Sequence, residues 1–185
     1  MITNKNFVQQ IIFLSRTFLL TLLIPPLFLN SFTAEAKQSE NHVSAVLYKV
    51  ERVVDGDTLK LSNGERVRLI GIDTPESKDN AKLRKDSKRT GQNAKEIIEM
   101  GKRAADFTRK LVEGKEVKLE FDVSQRDKYG RLLAYVYLMD GTFVNAEIMK
   151  QGFAQVMTIP PNIKYQDLFL KLQKEARENK RGLWR

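Results

Sequence analysis

Two short clusters of acidic residues lie near each other in this 185-residue chain. The first cluster is Asp55-Gly56-Asp57-Thr58, and the second is Ile72-Asp73-Thr74-Pro75-Glu76. Carboxylates that lie close together repel one another, and a bound cation relieves this repulsion. Arg68 lies between the two clusters, and its planar guanidinium suits the oxygens of a phosphate group. These residue types at this spacing therefore indicate a site for a metal ion and a phosphodiester.

The segment that joins the clusters is predicted to form a β-hairpin. Residues 58–70 alternate in strand fashion on either side of Asn63-Gly64, a pair that suits a type I′ turn. A two-residue loop of this kind places Thr58 opposite Leu69. Diagonal neighbours on adjacent strands lie within roughly 8 Å. We therefore expect Asp73 to lie diagonally across from the first cluster, within reach of the same ion.

Cysteine and histidine are nearly absent. The chain has no cysteine and one histidine, His42, in a polar segment. A disulfide or thiolate metal site is excluded, and a histidine-rich zinc site or a histidine-based triad has almost no basis. Acid–base chemistry then depends on carboxylates, lysine, tyrosine or bound water. Glu76 is the glutamate near the clusters that could act as a general base toward an attacking water.

The N-terminal residues have the organisation of a secretory signal peptide. Lys5 and Arg16 precede an apolar stretch at residues 18–29, and Ala34-Glu35-Ala36 is a small-x-small cleavage motif. We therefore predict cleavage after Ala36 and export to the periplasm or the extracellular space. The alternative is an uncleaved membrane anchor at residues 17–29, a stretch that is short for a membrane span.

The remaining chain suits one basic domain. We expect a signal peptide at residues 1–36, a flexible leader at 37–44 and a single domain at 45–185 with no membrane span after cleavage. Removal of the first 36 residues takes away two cations and one anion, which lowers the net charge from +9 to +8. This charge favours a polyanionic partner, with nucleic acid ahead of a membrane or cell wall.

Residues 77–95 contain a concentration of positive charge. The segment has seven lysine and arginine residues against two aspartates, and it lacks apolar periodicity. We therefore predict a long exposed loop. The sequence leaves open whether this loop grips phosphate groups or is a solvated insertion with no special role.

The rest of the domain alternates between strand and helix periodicities. Five strands are expected, at residues 46–54, 58–62, 65–70, 115–122 and 131–139. Three helices are expected, at residues 94–112, 143–151 and 165–180. Short antiparallel strands, with a helix between the third and the fourth, suit a small closed barrel of the oligonucleotide-binding (OB) type. The predicted fold class is α+β.

Three motifs of the chain also resemble the signature sequences of a known family. They are residues 54–58, residues 68–76 and Asp127-Lys128-Tyr129-Gly130-Arg131. Together with the closing Gly182-Leu183-Trp184, they are similar in order and spacing to the thermonuclease family, the staphylococcal nuclease-like OB-fold nucleases. The resemblance covers residues 45–185.

This resemblance implies roles for individual residues. The family's Ca²⁺ ligands correspond to the carboxylates of Asp57 and Asp73 and the backbone carbonyl of Thr74, with Asp55 acting through water. Its catalytic residues correspond to Arg68, Glu76 and Arg131. Its substrate phosphate contacts correspond to Lys128 and Tyr129.

The function implied is Ca²⁺-dependent hydrolysis of DNA and RNA by a monomer, with single strands favoured and 3′-phosphates as products. The alternative is an OB-fold protein that binds nucleic acid without cutting it. One departure from the family concerns residues 156–162, where a tyrosine-rich stretch that stacks on the base is replaced by a stretch without tyrosine. Base preference is therefore open, and Tyr165 could fill the same place.

Overall fold

The computed structural model describes residues 46–91 and 93–185. The predicted signal peptide and leader, at residues 1–44, lie outside the described residues. Among the residues that are described, no helix is long and apolar enough to cross a membrane.

The described chain contains a closed barrel and a separate pair of strands. The barrel consists of β1 (Leu47–Asp55), β2 (Thr58–Leu61), β3 (Arg66–Leu69), β5 (Glu116–Glu120) and β6 (Leu132–Leu138). Its strand order is β1-β2-β3-β6-β5. The separate pair consists of β4 (Gly71–Asp73) and β7 (Gln155–Met157). The predicted five-stranded barrel is confirmed, whereas the β4-β7 pair was not expected.

The described residues contain four α-helices. They are α1 (Ala81–Thr90), α2 (Ala94–Val112), α3 (Val144–Lys150) and α4 (Gln166–Glu178). A short 3₁₀ helix at Gly182–Trp184 follows α4. The bounds of α2 are those predicted, and α3 and α4 begin and end within one or two residues of their predicted bounds. A fully buried Phe169 is the main contact of α4 with the core, whereas the neighbouring Leu168 is exposed.

Helix α1 was not predicted. The loop expected at residues 77–95 instead contains ten helical residues. Asn80 caps the helix, since its side-chain oxygen accepts a hydrogen bond from the Leu83 N–H at 2.8 Å. Gly91 ends it in a left-handed conformation with φ 72°. Only Leu83 is buried among the side chains described in α1, so the helix has too little apolar periodicity to be predicted.

The hairpin is present, but its predicted turn and register were wrong. The Leu61 N–H donates to the Glu65 carbonyl at 2.9 Å, so the loop has three residues rather than two. Gly64 has φ 88°, whereas Asn63 lacks the positive φ that a type I′ turn requires. Thr58 therefore pairs with Arg68 and not with Leu69.

The prediction that Asp73 lies diagonally across the hairpin was also wrong. The chain leaves the barrel at Gly71, which has φ 81°. A side chain there would come within 2.5 Å of the Phe169 ring. After this turn β4 runs antiparallel to β7, and Asp73 pairs with Gln155.

The closure of the barrel differs from the antiparallel arrangement expected from the sequence. Strands β3 and β6 are parallel, with Val67 opposite Leu132. Parallel strands need a long crossover connection, which α1, α2 and β5 provide. The result matters for the site, because β6 begins next to β3 and brings the 127–131 motif close to Arg68.

Candidate functional site

A cleft of about 400 Å³ brings the three sequence motifs together. The residues that line it include Asp55, Asp57, Arg68, Asp73, Glu76 and Arg131. The two aspartates of the first cluster lie at the β1-β2 turn, Asp73 ends β4, and Arg131 precedes β6. Six of the nine residues predicted from the sequence therefore share one cleft.

Arg68 lies between two of these carboxylates. One of its terminal nitrogens (Nη2) is 2.9 Å from Asp73 Oδ1 and 3.3 Å from Asp57 Oδ2. The other, Nη1, donates to the backbone carbonyls of Leu69 and Ile72 at 2.8 and 2.7 Å. The guanidinium is thus fixed by both side-chain and backbone oxygens, and it joins β3 to β4 beside the cleft.

Asp57 is buried and orients Thr74. Its Oδ2 accepts hydrogen bonds from the Thr74 N–H at 2.8 Å and from the Thr74 hydroxyl at 3.1 Å. Gly56 lies against the same hydroxyl, and a side chain there would come within 2.7 Å of it. The Thr108 hydroxyl of α2 donates to the Gly56 carbonyl at 2.7 Å, so the helix supports the turn from behind.

The electrostatics of the cleft favour a cation. Burial, followed by the negative charges of Asp57 and Glu76, raises the pKa of Asp55 to about 6. The donors are all oxygen atoms, the ligands that hard ions such as Ca²⁺ prefer, so the donor set fits such an ion. Within residues 46–91 and 93–185, however, no three acidic or histidine side chains converge as a metal cage. Arg68 already engages two of the carboxylates.

Glu76 is held at both its backbone and its side chain. The helix α2 passes so close that a side chain at Gly101 would lie 2.3 Å from the Glu76 carbonyl oxygen. Glycine at this position therefore permits the contact. At the other end, the side-chain amide of Asn80 donates a hydrogen bond to Glu76 Oε2. Sequence reasoning missed both supporting residues.

Asp127 fixes Arg131. Its Oδ2 accepts from Arg131 Nε at 2.7 Å, and its Oδ1 accepts from the backbone N–H groups of Tyr129 and Arg131 at 2.9 and 3.0 Å. Burial alone would raise the pKa of Asp127, but the hydrogen bonds from Arg131 and from these backbone groups lower it. The sequence signal for this role of Asp127 was its position in the predicted turn just before Arg131.

Comparison with known proteins identifies the family. Residues 66–185 match the profile described as staphylococcal nuclease homologue. The thermonuclease of Staphylococcus intermedius is 41% identical over 151 residues, which cover 80% of this chain and 82% of that protein. The thermonuclease of Staphylococcus hyicus is 38% identical over 74% of this chain and 75% of its own length. Endonuclease YncB of Bacillus subtilis is 36% identical over 82% of this chain and 67% of its own length.

The chain belongs to the staphylococcal nuclease family. This membership places it among the nucleases, enzymes that hydrolyse phosphodiester bonds. It also agrees with the resemblance found in the three motifs and with the five-stranded barrel.

A second cleft of this staphylococcal nuclease homologue adjoins the first. Its volume is about 640 Å³, and it shares Arg68, Arg131 and Met157 with the smaller cleft. Lys128 and Tyr129 line it, and Tyr129 is 73% exposed. The two remaining predicted contacts are therefore close to the site but in the neighbouring cleft.

Part of the lining of the second cleft is apolar and without aromatic rings. This part consists of Met157, Ile159 and the Pro160-Pro161 pair, in the stretch that lacks tyrosine. Tyr165 does not replace the missing aromatic groups. Its ring packs edge-on against the Tyr135 ring, with 4.6 Å between the ring centroids. Its hydroxyl donates a hydrogen bond to Glu120.

Proposed function

We propose that this protein is an exported, monomeric, Ca²⁺-dependent nuclease that hydrolyses DNA and RNA, favours single strands and leaves 3′-phosphates. The gathering of carboxylates, Glu76 and two arginines in one cleft carries the proposal. Two fixed guanidinium groups beside acidic side chains suit a phosphodiester whose negative charge increases during attack. The positive charge of the chain suits a polyanionic substrate.

The carboxylates are proposed to hold the metal ion. Asp57, Asp73 and the backbone carbonyl of Thr74 would bind it, and Asp55 would act through water. When bound, a divalent cation neutralises charge on the phosphate and so stabilises the transition state. Asp57 and Thr74 are already joined by two hydrogen bonds, which keeps this part of the donor set together.

The remaining side chains are proposed to act on the substrate. Glu76 accepts a proton from the attacking water or orients that water, and it reaches the cleft from the segment after β4. Arg68 and Arg131 stabilise charge on the phosphate oxygens. Lys128 and Tyr129 contact phosphate on the side of the second cleft.

Single strands are expected to bind the second cleft better than a duplex. Its aliphatic lining residues can pack against a base that has left the stack, and aliphatic side chains carry no hydrogen-bonding groups that would select one base. We therefore expect little base preference. Because the proposed polar contacts are to phosphate groups, which DNA and RNA share, RNA is also expected to be a substrate.

The competing function is binding of nucleic acid without hydrolysis. A degenerate site would lack one or more of Glu76, Arg68 and Arg131, whereas all three line the same cleft here. This completeness favours the enzyme over the binding protein.

Removal of metal is the experiment that separates the two functions. Hydrolysis of single-stranded DNA is expected to occur with added Ca²⁺ and to stop in a chelator, because the metal supplies charge stabilisation that the arginines alone do not. Duplex DNA and RNA should be measured in parallel. Activity that persists in the chelator, or oligonucleotide binding without any cleavage in Ca²⁺, would overturn the proposal.

The basic helix α1 is proposed to contact the phosphates of a long substrate. Lys85, Lys88 and Arg89 are exposed on it, and the segment just before it lines the smaller cleft. Changing all three to glutamine should make the slope of log affinity against log salt less steep by about 2. Each phosphate contact contributes roughly 0.7 to this slope on single strands. The measurement is anisotropy of a labelled oligonucleotide in a chelator.

A matched control removes the same charge elsewhere. Lys171 and Lys174 are exposed on α4, and Lys180 is exposed just after the end of this helix. None of the three lines either cleft. Their change to glutamine should leave the slope within about 0.5 of the wild-type value if the effect depends on place rather than on net charge. Equal slopes in the two triple variants would contradict a role for α1.

A further inference from the structure

Asn80 uses both ends of its side-chain amide. The oxygen Oδ1 accepts a hydrogen bond from the Leu83 N–H at 2.8 Å and so caps α1. The nitrogen Nδ2 donates to Glu76 Oε2. One side chain therefore joins the first turn of a helix to the carboxylate of the site.

The chemistry of the amide determines which of its atoms accepts and which donates. A backbone N–H can only donate, so the atom that faces Leu83 must be the oxygen, and the atom that faces Glu76 must be the nitrogen. Aspartate or serine could also cap the helix, since both are good N-cap residues. Neither carries the amide donor that asparagine presents to the carboxylate.

The backbone of Glu76 is fixed on both sides, and the hydrogen bond from Asn80 adds a constraint on its side chain. Pro75 restricts the chain before it, and Gly101 allows α2 to pack against its carbonyl group. A glutamate side chain has several rotatable bonds, and a hydrogen bond at Oε2 selects among its rotamers. Asn80 supplies such a bond.

We propose that Asn80 is a positioning residue for Glu76, and that α1 thereby holds the orientation of this carboxylate in the cleft. A helix of ten residues is marginal in isolation. The cap and the buried Leu83 stabilise α1 on the domain, and the stable cap in turn keeps Nδ2 aimed at Glu76. The functional part of this inference rests on the proposed role of Glu76 in hydrolysis.

The test exchanges the asparagine for serine at two helix caps. Asn80→Ser retains a cap for α1 but removes the donor to Glu76. Asn93→Ser makes the same exchange at the start of α2, where Asn93 accepts from the Lys95 N–H at 2.8 Å. With Ca²⁺ and single-stranded DNA, kcat should decrease about 10- to 100-fold in Asn80→Ser, with KM changed less than about twofold. Asn93→Ser should retain kcat.

A purely structural role for Asn80 predicts a different result. Both variants would then lose similar thermal stability and similar kcat, or KM would rise while kcat stayed constant. Either outcome would overturn the inference. Asn80→Asp should lower kcat further than Asn80→Ser, because it places a second negative charge against Glu76 while keeping a good cap.

A second readout does not depend on hydrolysis. The side-chain amide resonances of Asn80, assigned by their loss in Asn80→Ser, should shift in Glu76→Ala, which removes the acceptor. They should stay in place in Glu99→Ala, which removes an exposed carboxylate of α2. An unresponsive amide would overturn the hydrogen bond and with it the inference. Absence of hydrolysis by the wild-type protein, with a responsive amide, would overturn the proposed function instead.

Discussion

Arg131→Lys is expected to lower kcat on single-stranded DNA by about 10²- to 10³-fold. Lysine keeps the positive charge but loses the planar fork that meets two phosphate oxygens at once. Arg131 Nε donates to Asp127 Oδ2 at 2.7 Å, which leaves the two terminal nitrogens for the substrate. A lysine has a single ammonium group, so it can pair with Asp127 only by moving that group away from the substrate. Steady-state kinetics at saturating Ca²⁺ measure the effect.

A conservative exchange in the same cleft provides the control. Arg66 also lines it and is exposed on β3. Arg66→Lys should retain kcat within about threefold, because no proposed step uses its geometry. If Arg131→Lys were fully active, Arg131 would act through its charge alone, and the proposed bidentate contact would be wrong.

Glu76→Gln is expected to lower kcat by about 10²- to 10⁴-fold, the range of a positioned general base. Glutamine keeps the size of the side chain and an oxygen that can still accept the hydrogen bond from Asn80. The variant therefore removes the group that accepts the proton but keeps the side chain at residue 76 in its place. Its thermal stability should stay close to that of the wild type.

The exposed Glu99 of α2 serves as the control for this exchange. Glu99→Gln should be fully active. Wild-type activity in Glu76→Gln would mean that no carboxylate is needed there, and the acid–base assignment would have to be abandoned. Together with Arg131→Lys, this variant separates loss of proton transfer from loss of phosphate recognition.

Local periodicity predicted most elements of the fold. Helix α2 has the predicted bounds because its apolar residues recur at spacings of three and four and a glycine follows its end. Helix α1 was missed, although Asn80 and Gly91 are recognisable caps, because only one of its described side chains reaches the core. The hairpin was found, but its register depended on the loop conformation at Asn63, which the residue pair Asn63-Gly64 does not determine.

The sequence by itself determined the chemistry available to this protein. Carboxylates near arginines, without cysteine and with one histidine, indicate oxygen ligands and charge stabilisation of a phosphodiester, and the three motifs indicate the family. Residue types and short spacings are local properties, so they can be deduced before the fold is known.

Only the tertiary structure decided how these groups are held. Arg68 lies between Asp57 and Asp73 because the chain turns at Gly71 and sends β4 to pair with β7. Gly101 meets Glu76 because α2 packs against the loop that follows β4. Such contacts join residues that are distant along the chain, and their geometry depends on packing of the whole domain rather than on any local pattern.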